Sequence, residues 1–117
     1  MNNKKLGTEF EREVCDLLNK KGYWVHFISP DNRGAQPFDI IAVKNGKAFA
    51  IDCKTCVNNK FTIDRVELNQ MLAFNKWIEC GNSMPMFLVK HSDKIYKVLW
   101  NDILEKEKIK LDECECF

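Results

Sequence analysis

Alternating apolar and polar positions over residues 36–54 predict two β-strands joined by a tight turn. The two strands lie on either side of Asn45-Gly46, which joins them. Both turn positions of a two-residue hairpin loop need a positive φ, which this pair adopts readily. The pattern therefore predicts a β-hairpin with a two-residue loop.

This hairpin is expected to bring charged side chains together at its open end. With a two-residue loop, Lys44 faces Lys47 and Asp39 falls opposite Asp52, where like charges are destabilising. Period-2 alternation puts Lys54 on the same sheet face. Two carboxylates and an ammonium group in register suit a divalent cation better than they suit folding. The alternatives are two solvated edge aspartates, or a bulge or longer loop that shifts the register and separates the pair.

Apolar periodicity also predicts the elements that precede the hairpin. A stripe of period 3.6 predicts a first helix over residues 4–21. Residues 23–29 have the aromatic and β-branched composition of a strand, and residues 30–37 form a turn-rich loop. Glu11 and Glu13 lie on opposite flanks of the helical stripe, and periodicity alone does not choose which of them reaches inward.

The second half of the chain predicts one more long helix and two more strands. Asp64 and Glu67 have the spacing of a capping box and open a helix that runs to about residue 80. The other expected elements are strands at residues 84–90 and 94–100, a short last helix at 101–108 and a frayed tail from residue 110. This order predicts an α/β layer fold with a mixed sheet, in which the first three strands form an antiparallel meander.

Length and composition fit one globular domain. The chain has 117 residues, of which 45% are hydrophobic and 30% charged, so we expect a single domain over residues 1–117. No apolar run approaches the roughly 18 residues of a membrane span. The N-terminus leads into an amphipathic segment, which favours an intracellular protein without a membrane span. A net charge of +1 neither favours nor excludes nucleic acid as a partner.

Six cysteines suggest a competing chemistry. Cys53 and Cys56 form a CxxC, and Cys114 and Cys116 add two thiols, so a small zinc or thiol-redox protein is one alternative. Strand alternation, however, turns Cys53 away from Asp52. The CxxC also ends a strand, whereas a redox CxxC usually opens a helix that lowers the thiol pKa. We interpret these cysteines as reduced thiols.

The two halves of the hairpin carry a known signature. Asp39 on one strand and Asp52-Cys53-Lys54 on the other resemble the PD-(D/E)xK nuclease motif, with Pro37-Phe38-Asp39 as a loosened form of its first part. Glu11-Arg12-Glu13 is similar to the opening helix of archaeal Holliday-junction resolvases, and residues 61–70 are similar to a region of Gram-positive bacterial and phage resolvases. The resemblance implies a restriction-endonuclease-like α-β-β-β-α-β core with a mixed sheet, one extra C-terminal strand and a short terminal helix.

The resemblance implies a Mg²⁺-dependent endonuclease whose catalytic residues are Glu11, Asp39, Asp52 and Lys54. It also selects Glu11 from the two glutamates, to hold a water on the metal or a second ion. Mg²⁺ prefers oxygen ligands, so Asp39 and Asp52 fit as direct ligands and the backbone carbonyl of Cys53 adds a third oxygen. Lys54 would orient the attacking water and offset charge on phosphorus. We expect Mn²⁺ to substitute.

The implied substrate is branched DNA, above all the four-way junction, cut during recombination and repair. Its two-fold symmetry favours a C2 homodimer, in the cytoplasm of a bacterial, archaeal or phage-infected cell. The candidate DNA contacts are Ser29, Arg33, Arg12, Lys60 and Gln70; the last matches a polar residue near the active site of the bacterial and phage enzymes. Alternatives are a restriction or repair nuclease acting on duplex ends or flaps, and a non-catalytic nucleic-acid-binding module.

Overall fold

A computed structural model describes residues 3–28 and 36–117, with side chains from residue 9 onward. Its main sheet consists of β1 (Trp24–Phe27), β2 (Ile40–Lys44), β3 (Lys47–Thr55), β5 (Met86–His91), β6 (Lys94–Leu99) and β8 (Glu115–Cys116). A separate ribbon pairs β4 (Phe61–Thr62) with β7 (Lys108–Ile109). The helices in this part of the chain are α1 (Asn3–Lys20), α2 (Leu68–Glu79) and α3 (Trp100–Lys106).

The predicted hairpin and the mixed sheet are confirmed. β2 and β3 pair antiparallel with Lys44 opposite Lys47, and Asn45 and Gly46 have φ values of 54° and 76°. Strand order is β1-β2-β3-β5-β6-β8, with β3 and β5 parallel and the other neighbours antiparallel. The first three strands thus form the expected meander, and β3 lies in the interior of the sheet.

Hydrophobic side chains pack on both faces of this sheet. On one face, Phe10, Val14 and Leu18 of α1 are buried in a cluster that includes Ile51 of β3. On the other face, Phe74 of α2 and Trp100 of α3 pack in a second cluster with Ala50. Successive strand residues alternate between these faces. Asp52 and Lys54 therefore share the α2 face, and Cys53 packs against the α1 cluster.

The start of α2 differs from the prediction. Residues Ile63–Arg65 form one turn of 3-10 helix, and the α-helix begins only at Leu68. Its N-cap is Glu67, whose side chain accepts a bond from the backbone N–H of Gln70 while the Gln70 side chain accepts one from the backbone N–H of Glu67. Asp64, expected to cap the helix, lies outside it. A capping box exists here, displaced by one helical turn.

The C-terminal segment is ordered, so the prediction of a frayed tail is wrong. Leu111 is fully buried in the α2 face cluster. β8 adds an edge strand beside β6, with Tyr96 opposite Cys116 and Lys97 opposite Glu115. The last helix starts one residue earlier than expected, at Trp100. It also ends earlier, at Lys106, because Glu107 directly after it adopts a left-handed conformation with φ of 66°.

Across the described residues, no helix is both long and apolar enough to cross a lipid bilayer.

Candidate active site

A cleft of about 280 Å³ opens where α1, the beginning of β2, the middle of β3 and the first turn of α2 meet. Its lining residues are Glu11, Gln36, Asp39, Asp52, Cys53, Lys54, Glu67 and Gln70. All four residues expected to be catalytic are in this set. The structure therefore brings them together from α1, from the residue that precedes β2 and from β3.

Asp39 is held in place by donors on both sides of its carboxylate. Its Oδ2 accepts a hydrogen bond of 2.9 Å from the backbone N–H of Cys53, and its Oδ1 accepts one of 3.3 Å from Gln36 Nε2. The Asp39 backbone N–H donates in turn to the carbonyl of Ile51. These bonds span the two arms of the hairpin, so the carboxylate is fixed relative to β3.

Asp52 is buried with an unsatisfied oxygen. Its exposed fraction is 3%, and its Oδ2 has no hydrogen-bond partner among the described residues. Lys54 Nζ lies 3.2 Å from this oxygen, within ion-pair distance but outside hydrogen-bond geometry. Buried polar groups are normally hydrogen-bonded, and each exception calls for an explanation. A ligand that binds carboxylate oxygens in the cleft would supply one.

Two carboxyl groups in the cleft, those of Asp52 and Glu11, have raised pKa values. Burial raises the pKa of Asp52 well above its ordinary value, and the nearby Asp39 raises it further, whereas Lys54 opposes the shift. Burial, followed by the charge of Asp39, raises the pKa of Glu11 to about 7. The protein thus concentrates negative charge at a place where folding alone gains nothing from it.

The Lys54 side chain is hydrogen-bonded to the first turn of α2. Its Nζ donates a 3.3 Å hydrogen bond to Oε1 of Gln70, which also accepts the backbone N–H of Glu67 at 3.2 Å. Gln70 is only 7% exposed. Because one amide oxygen serves both the helix cap and the ammonium group, the helix terminus fixes the position of Lys54 beside Asp52.

Sequence reasoning missed three residues that organise the cleft. Asn69 Nδ2 donates to the carbonyl of Gln36 at 3.3 Å, and Gln36 in turn holds Asp39. Glu67 lines the cleft as the N-cap of α2. The Glu-x-x-Gln spacing of residues 67–70 was an available signal for this cap, and nothing in the sequence marked the contact between Asn69 and Gln36.

A family model described as archaeal Holliday junction resolvase (Hjc) matches residues 2–113. The chain belongs to this family. The expected resemblance to the archaeal Holliday junction resolvases is thereby confirmed.

Two curated relatives of the archaeal resolvase family are similar in sequence. The crossover junction endodeoxyribonuclease Hjc of Methanocaldococcus jannaschii is 31% identical over 89 residues, which cover 76% of this chain and 62% of that protein. The crossover junction endodeoxyribonuclease Hje of Saccharolobus solfataricus is 29% identical over 73 residues, covering 62% of this chain and 54% of that protein. The chain therefore spans less than two thirds of the length of both relatives.

A solved structure of Archaeoglobus fulgidus Hjc, a Holliday junction resolvase from an archaeal hyperthermophile, has the same fold. It matches with a TM-score of 0.68 at 17% identity and covers 89% of this chain and 86% of that chain. Similarity at this level of identity concerns the fold alone. It confirms the expected α/β architecture with a mixed sheet.

The donor atoms in this resolvase-family cleft fit a hard divalent cation. Asp52 Oδ2 is a buried carboxylate oxygen that accepts no hydrogen bond among the described residues, and the Asp39 carboxylate lies beside it. Among the side chains that the structure describes, no group of three His, Cys, Asp or Glu forms a metal site. Mg²⁺ commonly uses one or two protein carboxylates and fills its other positions with water and substrate phosphate. Two aspartates at an open cleft suit that pattern, and the thiols supply no zinc ligand set.

The predicted DNA contacts are dispersed. Ser29 and Arg33 lie outside the described residues. Arg12 is exposed on the outer side of α1 and does not line the cleft, and Lys60 is exposed beside the β4–β7 ribbon. Gln70 lines the cleft with its amide oxygen engaged by Lys54. Contact of these residues with DNA stays a prediction.

We expect the metal-free protein to lose stability as pH rises from about 5 to about 8. The pKa values of Asp52 and Glu11 are higher in the folded protein than the ordinary values near 4. The folded state therefore binds more protons than the unfolded chain over this interval, and the free energy of unfolding falls as pH rises.

Asp52→Asn removes the contribution of Asp52 to this pH dependence, which is larger than that of Glu11. In EDTA at pH 8, we expect this variant to be more stable than the wild type by roughly 0.2–1 kcal/mol, because the repulsion between the Asp52 and Asp39 carboxylates is relieved. At pH 5 the difference should be smaller. Thermal denaturation of both proteins at both pH values measures this, and an identical pH dependence for the two proteins would contradict it.

Proposed function

We propose that the chain is a Mg²⁺-dependent endonuclease that cuts branched DNA, with the four-way junction as its preferred substrate. The observation that carries the proposal is the unsatisfied, buried Oδ2 of Asp52 beside Asp39 and Lys54. Family membership and the crossover junction endodeoxyribonuclease names of two relatives support the junction as substrate. In this proposal the enzyme acts in the cytoplasm, in recombination and repair.

Each residue of the cleft has a separate task in phosphodiester hydrolysis. Asp39 and Asp52 would hold the cation with the backbone carbonyl of Cys53, and Mn²⁺ would replace Mg²⁺. The bound cation would neutralise phosphate charge and provide hydroxide at neutral pH. Lys54 carries a fixed ammonium group that orients the attacking water and offsets the negative charge developing on the phosphate. Glu11, which lines the same cleft, would hold a water on the metal or a second ion.

Resolution of a junction needs two cuts, on opposed strands. A four-way junction has two-fold symmetry, so a C2 homodimer places one cleft at each of two equivalent strands. We therefore propose that the active form is a homodimer. Mixing the wild type with an excess of Asp52→Asn subunits should convert paired cuts into single nicks, whereas a monomeric enzyme would give paired cuts at a proportionally lower rate.

A labelled four-way junction, incubated with and without Mg²⁺, tests the proposed activity. Duplex, flap and single-stranded DNA of the same sequence serve as comparison substrates. Preferential cutting of the junction in Mg²⁺ supports the resolvase assignment. Preferential cutting of flaps or duplex ends would favour the restriction or repair alternative, and binding without any cutting would favour a non-catalytic module.

A further inference from the structure

A second, larger cavity of about 580 Å³ lies away from the catalytic cleft and shares none of its lining residues. Its walls are the β4–β7 ribbon, the end of α3, β6 and the segment leading into β8. The lysines that line it are Lys60, Lys97, Lys106, Lys108 and Lys110. A chain with a net charge of +1 thus places five ammonium groups around one groove.

The ribbon gathers like charges on one face. Thr62 pairs with Lys108 and Phe61 with Ile109, and Lys60 and Lys110 directly flank the Phe61–Ile109 pair at the end of the ribbon. Phe61 is fully buried, and strand alternation therefore sends Lys60, Lys108 and Lys110 to the opposite, groove-lining face. Like charges gathered on one face repel each other, and an anion in the groove would offset that repulsion.

Carboxylates in the groove balance only part of this charge. Glu115 pairs with Lys97 at 3.4 Å, and Asp102 and Glu113 also line the groove. In the part of the chain that the structure describes, neither Lys108 nor Lys110 has a carboxylate at ion-pair distance. The ribbon face therefore keeps an excess of positive charge.

Hydrogen bonds hold the groove in shape. The backbone N–H of Ile63 donates to the carbonyl of Glu107 at 2.8 Å, which joins the end of α3 to the ribbon. The backbone N–H of Asp112 donates to Asn59 Oδ1 at 2.9 Å and ties the tail to the loop before β4. The lysines thus project from a fixed frame.

We propose that this groove binds the phosphate backbone of a DNA strand outside the catalytic cleft. Lys108 lies in β7 and Lys110 follows that strand in an extended conformation, so their Cα atoms are roughly 6.8 Å apart, which is similar to the spacing of successive phosphates along one nucleic-acid strand. The identification of DNA as the polyanion rests on the proposed function. The groove would hold a flanking arm of the substrate, and Lys60, a candidate DNA contact, would act here.

Binding of a fluorescent four-way junction in EDTA tests this without requiring cleavage. The test variant is Lys60→Ala/Lys108→Ala/Lys110→Ala. The matched control is Lys20→Ala/Lys76→Ala/Lys94→Ala, which removes the same net charge from exposed lysines elsewhere. For each protein, the Kd is measured from 50 to 200 mM salt, and thermal denaturation confirms folding.

We expect the ribbon variant to bind more weakly at low salt and to have a smaller salt dependence. Each lost phosphate contact lowers the slope of log K against log salt by about 0.9, so three contacts change the loss of affinity over this range by about 40-fold. The control should keep the wild-type slope. Equal slopes for the two variants would contradict the groove proposal. Displacement of the labelled junction by a polyglutamate competitor would also contradict it, because the groove would then bind any polyanion.

This outcome is separable from that of the proposed activity. If the protein fails to cut junctions but the ribbon variant loses salt-dependent DNA binding, the groove stands and the nuclease assignment falls. If the protein cuts junctions and the two triple variants bind DNA equally well, the nuclease assignment stands and the groove proposal falls.

Discussion

Asp52→Asn is expected to abolish Mg²⁺-dependent cleavage, with a loss of roughly 10³-fold or more in rate. The substitution replaces the buried, unsatisfied carboxylate oxygen of Asp52 by a neutral amide, which is a poor ligand for a hard cation. Asp39→Asn should give a similar loss, because Asp39 lies beside it in the same cleft. A gel assay on a labelled four-way junction under single-turnover conditions measures both.

Asp93→Asn is the matched control for this pair. Asp93 is exposed in the turn between β5 and β6 and has a φ of 66°, a conformation that Asn tolerates well. It should cut at the wild-type rate. Junction affinity in EDTA should be retained by all three variants, and the stability gain predicted for Asp52→Asn separates lost chemistry from lost folding. Near-normal cleavage by Asp52→Asn would remove the basis of the nuclease assignment.

Lys54→Ala is expected to reduce cleavage by roughly 10²–10³-fold, through loss of the charge that offsets the developing negative charge on the phosphate. Lys54→Arg should not restore activity. The planar guanidinium group cannot reproduce a compact ammonium group that lies 3.2 Å from Asp52 and 3.3 Å from Gln70. Single-turnover rates and junction affinity measure the two effects separately, and Lys76→Ala is the control. Full activity in Lys54→Arg would show that only the charge is needed.

Substitution of Gln70 tests whether the position of Lys54, and not only its charge, affects cleavage. Gln70→Ala removes the acceptor that positions Lys54, so we expect a loss of about 10–100-fold in turnover with little change in KM. A double-mutant cycle then distinguishes positioning from a direct DNA contact. If Gln70 acts through Lys54, the double variant is no slower than Lys54→Ala. Additive losses in the cycle would instead support Gln70 as an independent contact with the substrate.

The catalytic register was predictable because it depends on a local feature. Asn45-Gly46 fixes the loop length, the loop length fixes which residues face each other, and alternation then puts Asp52 and Lys54 on one face. Each step involves residues close together in the chain. The choice of Glu11 over Glu13 needed more than periodicity, because both lie at the edge of the apolar stripe.

The start of α2 was not predictable from local preference. Asp is favoured as an N-cap and Glu is not, so the sequence pointed to Asp64. In the structure the helix is capped at Glu67, and the Gln70 side chain that completes the capping box also accepts a hydrogen bond from Lys54 Nζ. That tertiary contact favours the later helix start and is not visible in the local sequence. The edge strand β8 was missed because its two exposed residues carry no alternation, and the burial of Leu111 that holds the tail near the sheet is a tertiary feature.

The position of β3 between β2 and β5 also determines when the active centre can assemble. Hairpin formation with β2 is local and takes about 1–10 μs. Parallel pairing with β5 joins Asp52 to Phe87 and Lys54 to Val89 across the whole of α2, and such non-local pairing is the slow part of folding. A nascent chain emerging from the ribosome can therefore hold the hairpin, but the candidate site is not complete until β5 has been synthesised and has docked.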